Sequence, residues 1–280
     1  MFSNPFTTRK SVLPGFGITM GVTLLYLVLI VALPLAAMVL KTASLGWSEF
    51  WSIVTSERAL ATYRITLGTA AIATLINAGF GLLIAWVLVR YEFPGKRLLD
   101  AMIDLPFALP TAIAGLALVT VFSRNGWFGQ YLEPMGIKVA YAPLGIAIAM
   151  AFTSAPFVIR TVQPVLEDLS DDVEQAAQTL GARPWQIFRH VIWPMIFPAF
   201  LAGSALSFAR SLGEFGAIVF ISGNLPFKTE VTSLLVFIRL DEFDYPSAAA
   251  LAMVMLIVAF LMLLTTNLIQ AWQLRYAERS

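Results

Sequence analysis

Two oppositely charged residues, Arg210 and Glu214, lie within a long apolar stretch of the sequence, in the segment FARSLGEFGA. Placing a charge in the lipid interior costs about 2.5 kcal/mol or more, so such residues usually have a partner or a function. A helical spacing of four residues puts both side chains on one face, where they can neutralise each other. The guanidinium of Arg210 could also donate hydrogen bonds to an oxyanion that passes along this face.

Two interpretations of this charged pair stay open at the level of sequence. In the first, the face lines a transport pathway or gate, and Gly213 and Gly216 allow another group to approach the backbone closely. In the second, Arg210 and Glu214 form a structural ion pair that fixes the helix at a subunit interface. Glu214 would repel an anion, which argues against a tight anion site here.

The composition of the whole chain indicates an integral membrane protein. Of its 280 residues, 59% are hydrophobic and 12% are charged, whereas a soluble domain has about 25% charged residues. The net charge of +1 does not indicate nucleic-acid binding. Because the sequence has no Cys and a single His, His190, we predict no catalytic residues and no metal ligand set.

Six apolar segments are long enough to cross a bilayer, which requires about 20 residues. None alternates with a period of two, so we predict an all-α, polytopic membrane protein with six transmembrane helices. The predicted helices cover residues 16–40, 63–89, 98–122, 142–165, 195–222 and 247–272. We expect one domain over residues 1–280. The first helix is expected to be retained, because its apolar run exceeds the roughly 7–15 residues of a signal-peptide core.

The loop between the second and third predicted helices indicates the orientation in the membrane. It carries Arg90, Lys96 and Arg97 close to the helix ends. Basic residues in such positions favour the cytoplasmic side. With this loop inside, both termini are predicted to be cytoplasmic.

We predict structural roles for several polar residues and prolines inside the predicted spans. Asn77 is expected to make a hydrogen bond between helices. Asp104 and Arg160 are expected at the membrane boundary, the arginine with its aliphatic stem in the apolar layer. Pro106 and Pro110, four residues apart, are expected to kink the third helix.

A polar linker between the fourth and fifth predicted helices has the sequence LEDLSDDVEQAAQTLGARPWQIFRHVIWP. Ser170 or Asp171 can cap a helix, and Gly181 is placed to end it. Pro184 then suits the start of a second short helix, which is predicted to run to Trp193. The apolar stripe of the first helix consists of Val173, Ala176, Ala177 and Leu180. This helix–glycine–helix elbow, residues 170–193, either docks a cytoplasmic partner or lies on the membrane surface.

A second linker, GNLPFKTEVTSLLVFIRLDEFDYP at residues 223–246, lies on the predicted outer side. Its apolar part, residues 231–238, is too short to span the bilayer. We predict a re-entrant or interfacial helix that lines an outer vestibule.

The elbow resembles the EAA loop of ABC-type importer permeases, whose pattern is E-A-A, three residues, G, nine residues and I-x-L-P. The residues that match in register are Ala176, Ala177, Gly181 and Pro194. Gln175 occupies the position of the family's Glu, so an ion pair of that glutamate would have to come from Glu174. The resemblance implies that the elbow is a coupling helix, seated in a groove of an ATPase subunit.

Longer stretches resemble the permeases of sulfate/thiosulfate importers, in particular the T-type subunit. The stretches are DLPFALPTAIAGL at 104–116, MAFTSAPFVIRTVQPVLEDL at 150–169, SFARSLGEFGAIVFISGN at 207–224 and KTEVTSLLVFIRLDEFDYPSA at 228–248. Molybdate permeases are similar around Arg-x-Leu-Gly-Glu-Phe-Gly, so a molybdate/tungstate importer permease is an alternative. An ATP-independent anion transporter is a second alternative, but the spacing of the residues in the elbow argues against it.

The resemblance implies the fold of a type I ABC importer permease in the bacterial inner membrane. It implies that the chain is a transport subunit without a cofactor and that a dimeric ATPase partner binds ATP and magnesium. The pathway would be shared with a second permease, a W-type subunit or another copy, and an external sulfate-binding protein would deliver the ion. The sequence agrees with a separate ATPase, because Gly95-Lys96, its single Gly-Lys pair, lacks the rest of a P-loop.

Overall fold

The computed structural model describes residues 16–277, except for the side chains of residues 171 and 271–277. Along the chain the helices are α1 Phe16–Ala43, α2 Trp47–Val54, α3 Glu57–Arg90, α4 Lys96–Ile103, α5 Leu105–Ala108, α6 Thr111–Phe122, α7 Gly129–Leu132, α8 Pro143–Glu167, α9 Asp171–Thr179, α10 Pro184–Leu212, α11 Gly216–Ile221, α12 Thr232–Asp241 and α13 Tyr245–Ala277. Five of these, α1, α3, α8, α10 and α13, are long and apolar enough to cross a membrane.

The five long helices correspond to five of the six predicted spans, but the predicted third span, 98–122, is not one helix. It is divided into α4, α5 and α6, of which α6 has 12 residues and is too short to span alone. The breaks lie at Asp104 and at Leu109, which has an extended backbone. Pro106 and Pro110 account for them, because each proline removes a backbone donor and Pro110 disfavours a helical Leu109.

The predicted helix at 195–222 is also wrong in its bounds. α10 begins in the elbow at Pro184 and ends at Leu212, and α11 follows after a three-residue gap. No separate elbow helix ends at Trp193 within the described chain. Instead, a π turn at Phe188–Ile192 carries α10 into the span, and the Trp193 N–H donates to the Phe188 carbonyl. Pro194 lacks an N–H group, which favours this local departure from α-helical bonding.

The centre of the fold is formed by α3, α8 and α10, which pack closely through small residues. A Cβ added at Gly81 would lie 2.9 Å from the Cβ of Val158, and one added at Gly203 would lie 2.9 Å from the Val158 Cα. Small residues allow this approach, which gives helices their packing attraction in lipid. α1 lies at the periphery: it packs against α13, and none of its described residues is buried.

A buried polar cluster joins the three central helices. The Asn77 Nδ2 atom of α3 lies 2.8 Å from Ser154 Oγ and 3.0 Å from the Ala151 carbonyl of α8. It also lies 3.1 Å from Ser207 Oγ of α10, and Ser211 Oγ lies 3.1 Å from Ser154 Oγ. The predicted interhelical hydrogen bond of Asn77 is therefore confirmed.

Replacing Asn77 with Ala is expected to lower the free energy of unfolding by about 1 to 2 kcal/mol, because the amide nitrogen can donate two hydrogen bonds. Interhelical hydrogen bonds contribute about 0.6 kcal/mol each on average and up to about 1.7 kcal/mol. The melting temperature in detergent measures the change. Thr74→Ala is the matched control, since the Thr74 hydroxyl bonds only to the Ala70 carbonyl of its own helix. Equal melting temperatures for the two variants would show that the polar cluster does not contribute to stability as proposed.

Candidate coupling elbow and intramembrane helix break

The elbow folds as its turn residues predict. Ser170 caps α9, since its Oγ accepts a hydrogen bond of 3.2 Å from the Asp172 N–H. Gly181 has a φ of +82°, a conformation that glycine adopts at little cost. The Ala182 N–H then donates to the Ala177 carbonyl at 3.1 Å, which closes the end of the helix.

The elbow is attached to α3 by an ion pair between Glu174 and Arg90. The two side chains are only 20% and 19% exposed. Arg90 is the last residue of α3, and its guanidinium lies 5.4 Å from the ring centroid of Trp86, within cation–π distance. Gln175 is exposed. Glu174, and not its neighbour, therefore makes the ion pair that links the elbow to the C-terminal end of α3.

The apolar stripe of the elbow is largely uncovered by this chain. Leu180 is 88% exposed and Val173 is 42% exposed. Ala176 is exposed, whereas Ala177 is partly buried against a hydrophobic cluster that includes Leu88, Leu166 and Ile187. Pro194 is exposed where α10 leaves the elbow. A contiguous exposed apolar patch of this kind is typical of an interaction surface.

The helix break between α10 and α11 is organised by Glu214. Its Oε1 atom accepts a hydrogen bond of 2.9 Å from the Ala217 N–H at the start of α11. Its Oε2 atom lies 2.8 Å from Nη2 of Arg210 in α10. The prediction of one continuous helix through both residues is wrong, although the ion pair is present. A single carboxylate thus connects the two sides of the break.

The four predicted pathway residues differ in their packing. A Cβ added at Gly216 would lie 2.1 Å from Thr111 Oγ1, and one added at Gly115 would lie 2.3 Å from the Ala217 carbonyl oxygen. The short helices α6 and α11 therefore start side by side, each after a break. Gly213 is exposed, and the nearest atom to an added Cβ would be the Arg210 carbonyl oxygen, 3.9 Å away.

A charged cluster that joins α8 to α4 and to the break at Asp104 was not recognised in the sequence. Arg160 Nε and Nη2 donate to the two carboxylate oxygens of Asp104 at 2.9 and 2.7 Å. Arg160 Nη1 also donates to Asp100 Oδ1 at 2.6 Å. The expectation that both residues lie at the membrane boundary stays a prediction, and the structure adds that they form an ion pair. Their opposite charges were visible, but nothing in a single sequence brings residues so far apart together.

The segment of residues 223–246, for which the sequence predicts an outer location, is attached to the rest of the fold by several polar contacts. Arg58 of α3 makes two hydrogen bonds, of 2.8 and 2.6 Å, to the fully buried carboxylate of Glu230. The Thr232 N–H donates to Thr66 Oγ1 at 2.9 Å. Ser233 Oγ donates to the Glu214 carbonyl at 2.9 Å, so the segment also reaches the helix break. α12 confirms the predicted short helix in this linker.

Comparison with known proteins identifies the class to which this fold and these sites belong. Residues 77–276 match the family described as the binding-protein-dependent transport system inner membrane component. The chain belongs to this family.

Two relatives with high sequence identity carry the same name, which describes a sulfate transport system permease. The sulfate transport system permease protein CysT of Escherichia coli (strain K12) is 55% identical over 264 residues, covering 94% of this chain and 95% of the relative. The protein of the same name from Synechocystis sp. is 48% identical over 279 residues, covering 99% and 98%.

Solved structures confirm the fold. A bacterial ABC transporter involved in the import of the acidic polysaccharide alginate aligns with a TM-score of 0.74 at 17% identity, covering 90% of this chain and 93% of that chain. The inward-facing MetNI methionine ABC transporter aligns with a TM-score of 0.58 at 14% identity, covering 82% and 99%. The predicted fold of an ABC importer permease is therefore confirmed.

Replacing Glu174 with Gln is expected to speed amide exchange in α9 by about fivefold, because a partly exposed ion pair contributes up to about 1 kcal/mol. Hydrogen–deuterium exchange followed by mass spectrometry measures this change. Gln175→Ala is the control and is expected to exchange like the wild type. Unchanged exchange in the Glu174 variant would show that the ion pair does not hold the elbow.

Proposed function

We propose that this chain is a membrane-spanning permease subunit of an ATP-driven sulfate/thiosulfate importer. The observation that carries the proposal is the high identity, over nearly the whole chain, to relatives named as sulfate transport system permeases. The chain itself is a transport component. ATP and magnesium would be bound by a dimer of partner ATPases, and no cofactor is assigned to this chain.

The elbow is the proposed docking site for the ATPase. Its exposed stripe offers a surface that a groove in a partner could cover, and Gly181 leaves room at the turn. The ion pair of Glu174 with Arg90 would transmit a displacement of the elbow to α3. α10 would transmit it directly to the helix break, since this helix runs without interruption from the elbow into the span.

Two further partners complete the proposed transporter. A second permease, a W-type subunit or another copy of this chain, would form the other half of the pathway. An external binding protein would deliver sulfate to the outer face, including residues 223–246. The attachment of that segment through Glu230 and Thr232 supports this role, because a docking surface has to be positioned by the scaffold. We place both termini in the cytoplasm.

The pathway or gate is proposed to lie along the helix break. Arg210, Gly213, Glu214 and Gly216 surround the gap between α10 and α11. Non-helical backbone at membrane depth is tolerated where it is buried in protein or lines a water-filled cavity. We propose a water-filled cavity on the side of the break that faces away from the core. The charged pair and the exposed Gly213 support this proposal.

Labelled sulfate uptake tests the proposed function in cells that lack their own importer and carry this chain with its ATPase, binding protein and second permease. We expect uptake that requires every component, is inhibited by thiosulfate and resists molybdate. Uptake that continues without the ATPase would overturn the ABC assignment. Transport of molybdate in place of sulfate would keep the mechanism and correct the cargo.

Replacing Gly181 with Asp is expected to reduce sulfate uptake more than tenfold while membrane insertion stays normal, because the carboxylate would occupy the docking turn. Gly95→Asp is the matched control. Gly95 and Gly181 have φ values of +88° and +82°, and both have open space around them. The backbone strain is therefore similar at the two sites. Equal uptake by the two variants would contradict docking through the elbow.

A further inference from the structure

We propose that Arg210 donates hydrogen bonds directly to the oxyanion in transit and that Glu214 is a positioning residue that holds the guanidinium in place. This inference rests on the proposed sulfate transport. The inference adds an intramembrane contact site to the proposed transport function. It also assigns different roles to Arg210 and Glu214.

The depth of Arg210 in the membrane follows from the polar cluster at Asn77. From Asn77, α3 continues to Arg90 for about 20 Å on one side and back to Glu57 for about 30 Å on the other. Ser207 of α10 lies beside Asn77, and Arg210 follows about one turn further along the same helix. Arg210 is therefore well inside the apolar layer.

The exposure of Arg210 at this depth argues against lipid as its surroundings. Its side chain is 33% exposed. An exposed guanidinium in contact with lipid would be strongly destabilising, so such residues face a water-filled cavity or another protein group. Among the described residues, Glu214 is the only polar partner of Arg210. The ion pair uses Nη2, and donors on Nε and Nη1 stay available to a ligand.

Glu214 is placed so that it neutralises the arginine without meeting the anion. Its side chain is 1% exposed, against 33% for Arg210. One of its carboxylate oxygens accepts the Ala217 N–H, and the other faces the guanidinium. An oxyanion can therefore approach Arg210 from the exposed side while the carboxylate stays on the buried side. Because the pair has no net charge, the attraction is short-ranged, which suits a contact that has to release its ion.

Gly213 leaves space next to this exposed side. Its φ of −88° is open to any residue, and an added Cβ would meet nothing closer than 3.9 Å. Neither backbone conformation nor packing among the described residues accounts for a glycine at this position, in contrast to Gly216. The missing side chain keeps open the volume beside Arg210 in which an oxyanion would pass.

A carboxylate of the second permease could also face Arg210, and the charge balance argues against it. Glu214 already neutralises the guanidinium, so a further carboxylate would leave a net negative charge in the apolar layer. An unpaired charge of this kind is costly. A diffusing anion makes the same contact only for a moment and brings no permanent charge.

Reconstituted transporter in proteoliposomes, with the ATPase, second permease and binding protein, provides the test. Failure of the wild type to take up sulfate would overturn the proposed function itself. Given wild-type uptake, Arg210→Lys is expected to lower sulfate uptake about tenfold and to change the ratio of sulfate to thiosulfate transport, with an unchanged melting temperature. Lysine keeps the charge and the ion pair but loses the planar set of donors. Wild-type uptake and selectivity in this variant would overturn the inference.

Gly213→Val tests the open volume without disturbing the fold. It is expected to reduce uptake about tenfold at an unchanged melting temperature. Gly79→Val is the matched control: Gly79 is also exposed with open space around it, but it lies among the exposed Leu75 and Phe80 of α3. Equal uptake by both valine variants would overturn the proposed passage beside Arg210.

Glu214→Gln separates a positioning role from a merely structural one. The glutamine oxygen can still accept the Ala217 N–H, but Arg210 would no longer be neutralised. We expect the variant to retain sulfate, so that sulfate preloaded inside the vesicles inhibits uptake at least fivefold more strongly than in the wild type. A reduction of uptake that is independent of internal sulfate would show a structural role only and would overturn the assignment.

Discussion

The carboxylate of Glu214 provides partners for two polar groups at the helix break, the Ala217 N–H and the Arg210 guanidinium. Polar groups in the apolar layer need such partners within the protein, and the rest of the fold depends on this requirement. Interrupting a membrane helix leaves backbone donors without their usual acceptors. Glu214 accepts one of these donors, from Ala217, and at the same time balances the charge of Arg210. The break between α10 and α11 can therefore exist without exposing an uncompensated charge. The close approach of α6 at Gly216 and the attachment of residues 223–246 through Ser233 both depend on the chain turning at this point.

Much of the architecture could be predicted because lipid imposes simple rules on sequence. Five apolar runs became five long helices, and the capping Ser170 and the turn at Gly181 behaved as isolated residues of their types do. The internal breaks were harder to predict. Apolarity is the same on both sides of Leu109, and a spacing of four residues between Arg210 and Glu214 suits a continuous helix as well as an interrupted one.

Contacts between distant segments explain the remaining differences. Arg160 and Asp104 were expected at the membrane boundary without a stated partner, because each is compatible with the interface alone. Their meeting depends on how α4 folds back against α8, which no local pattern encodes. The elbow shows the opposite case. Glu174 could be considered for an ion pair from its position beside Gln175, yet its partner Arg90 became evident only in the folded chain.

The peripheral position of α1 has a consequence for how this part of the sequence can evolve. Since α1 packs against α13 and none of its described residues is buried, its side chains do not form part of the core of the described structure. Replacing one aliphatic residue there by another alters little besides the surface offered to the surroundings. Substitutions that keep the helix apolar should therefore accumulate faster in α1 than in α3, α8 or α10, where a single added methyl group meets a neighbouring helix.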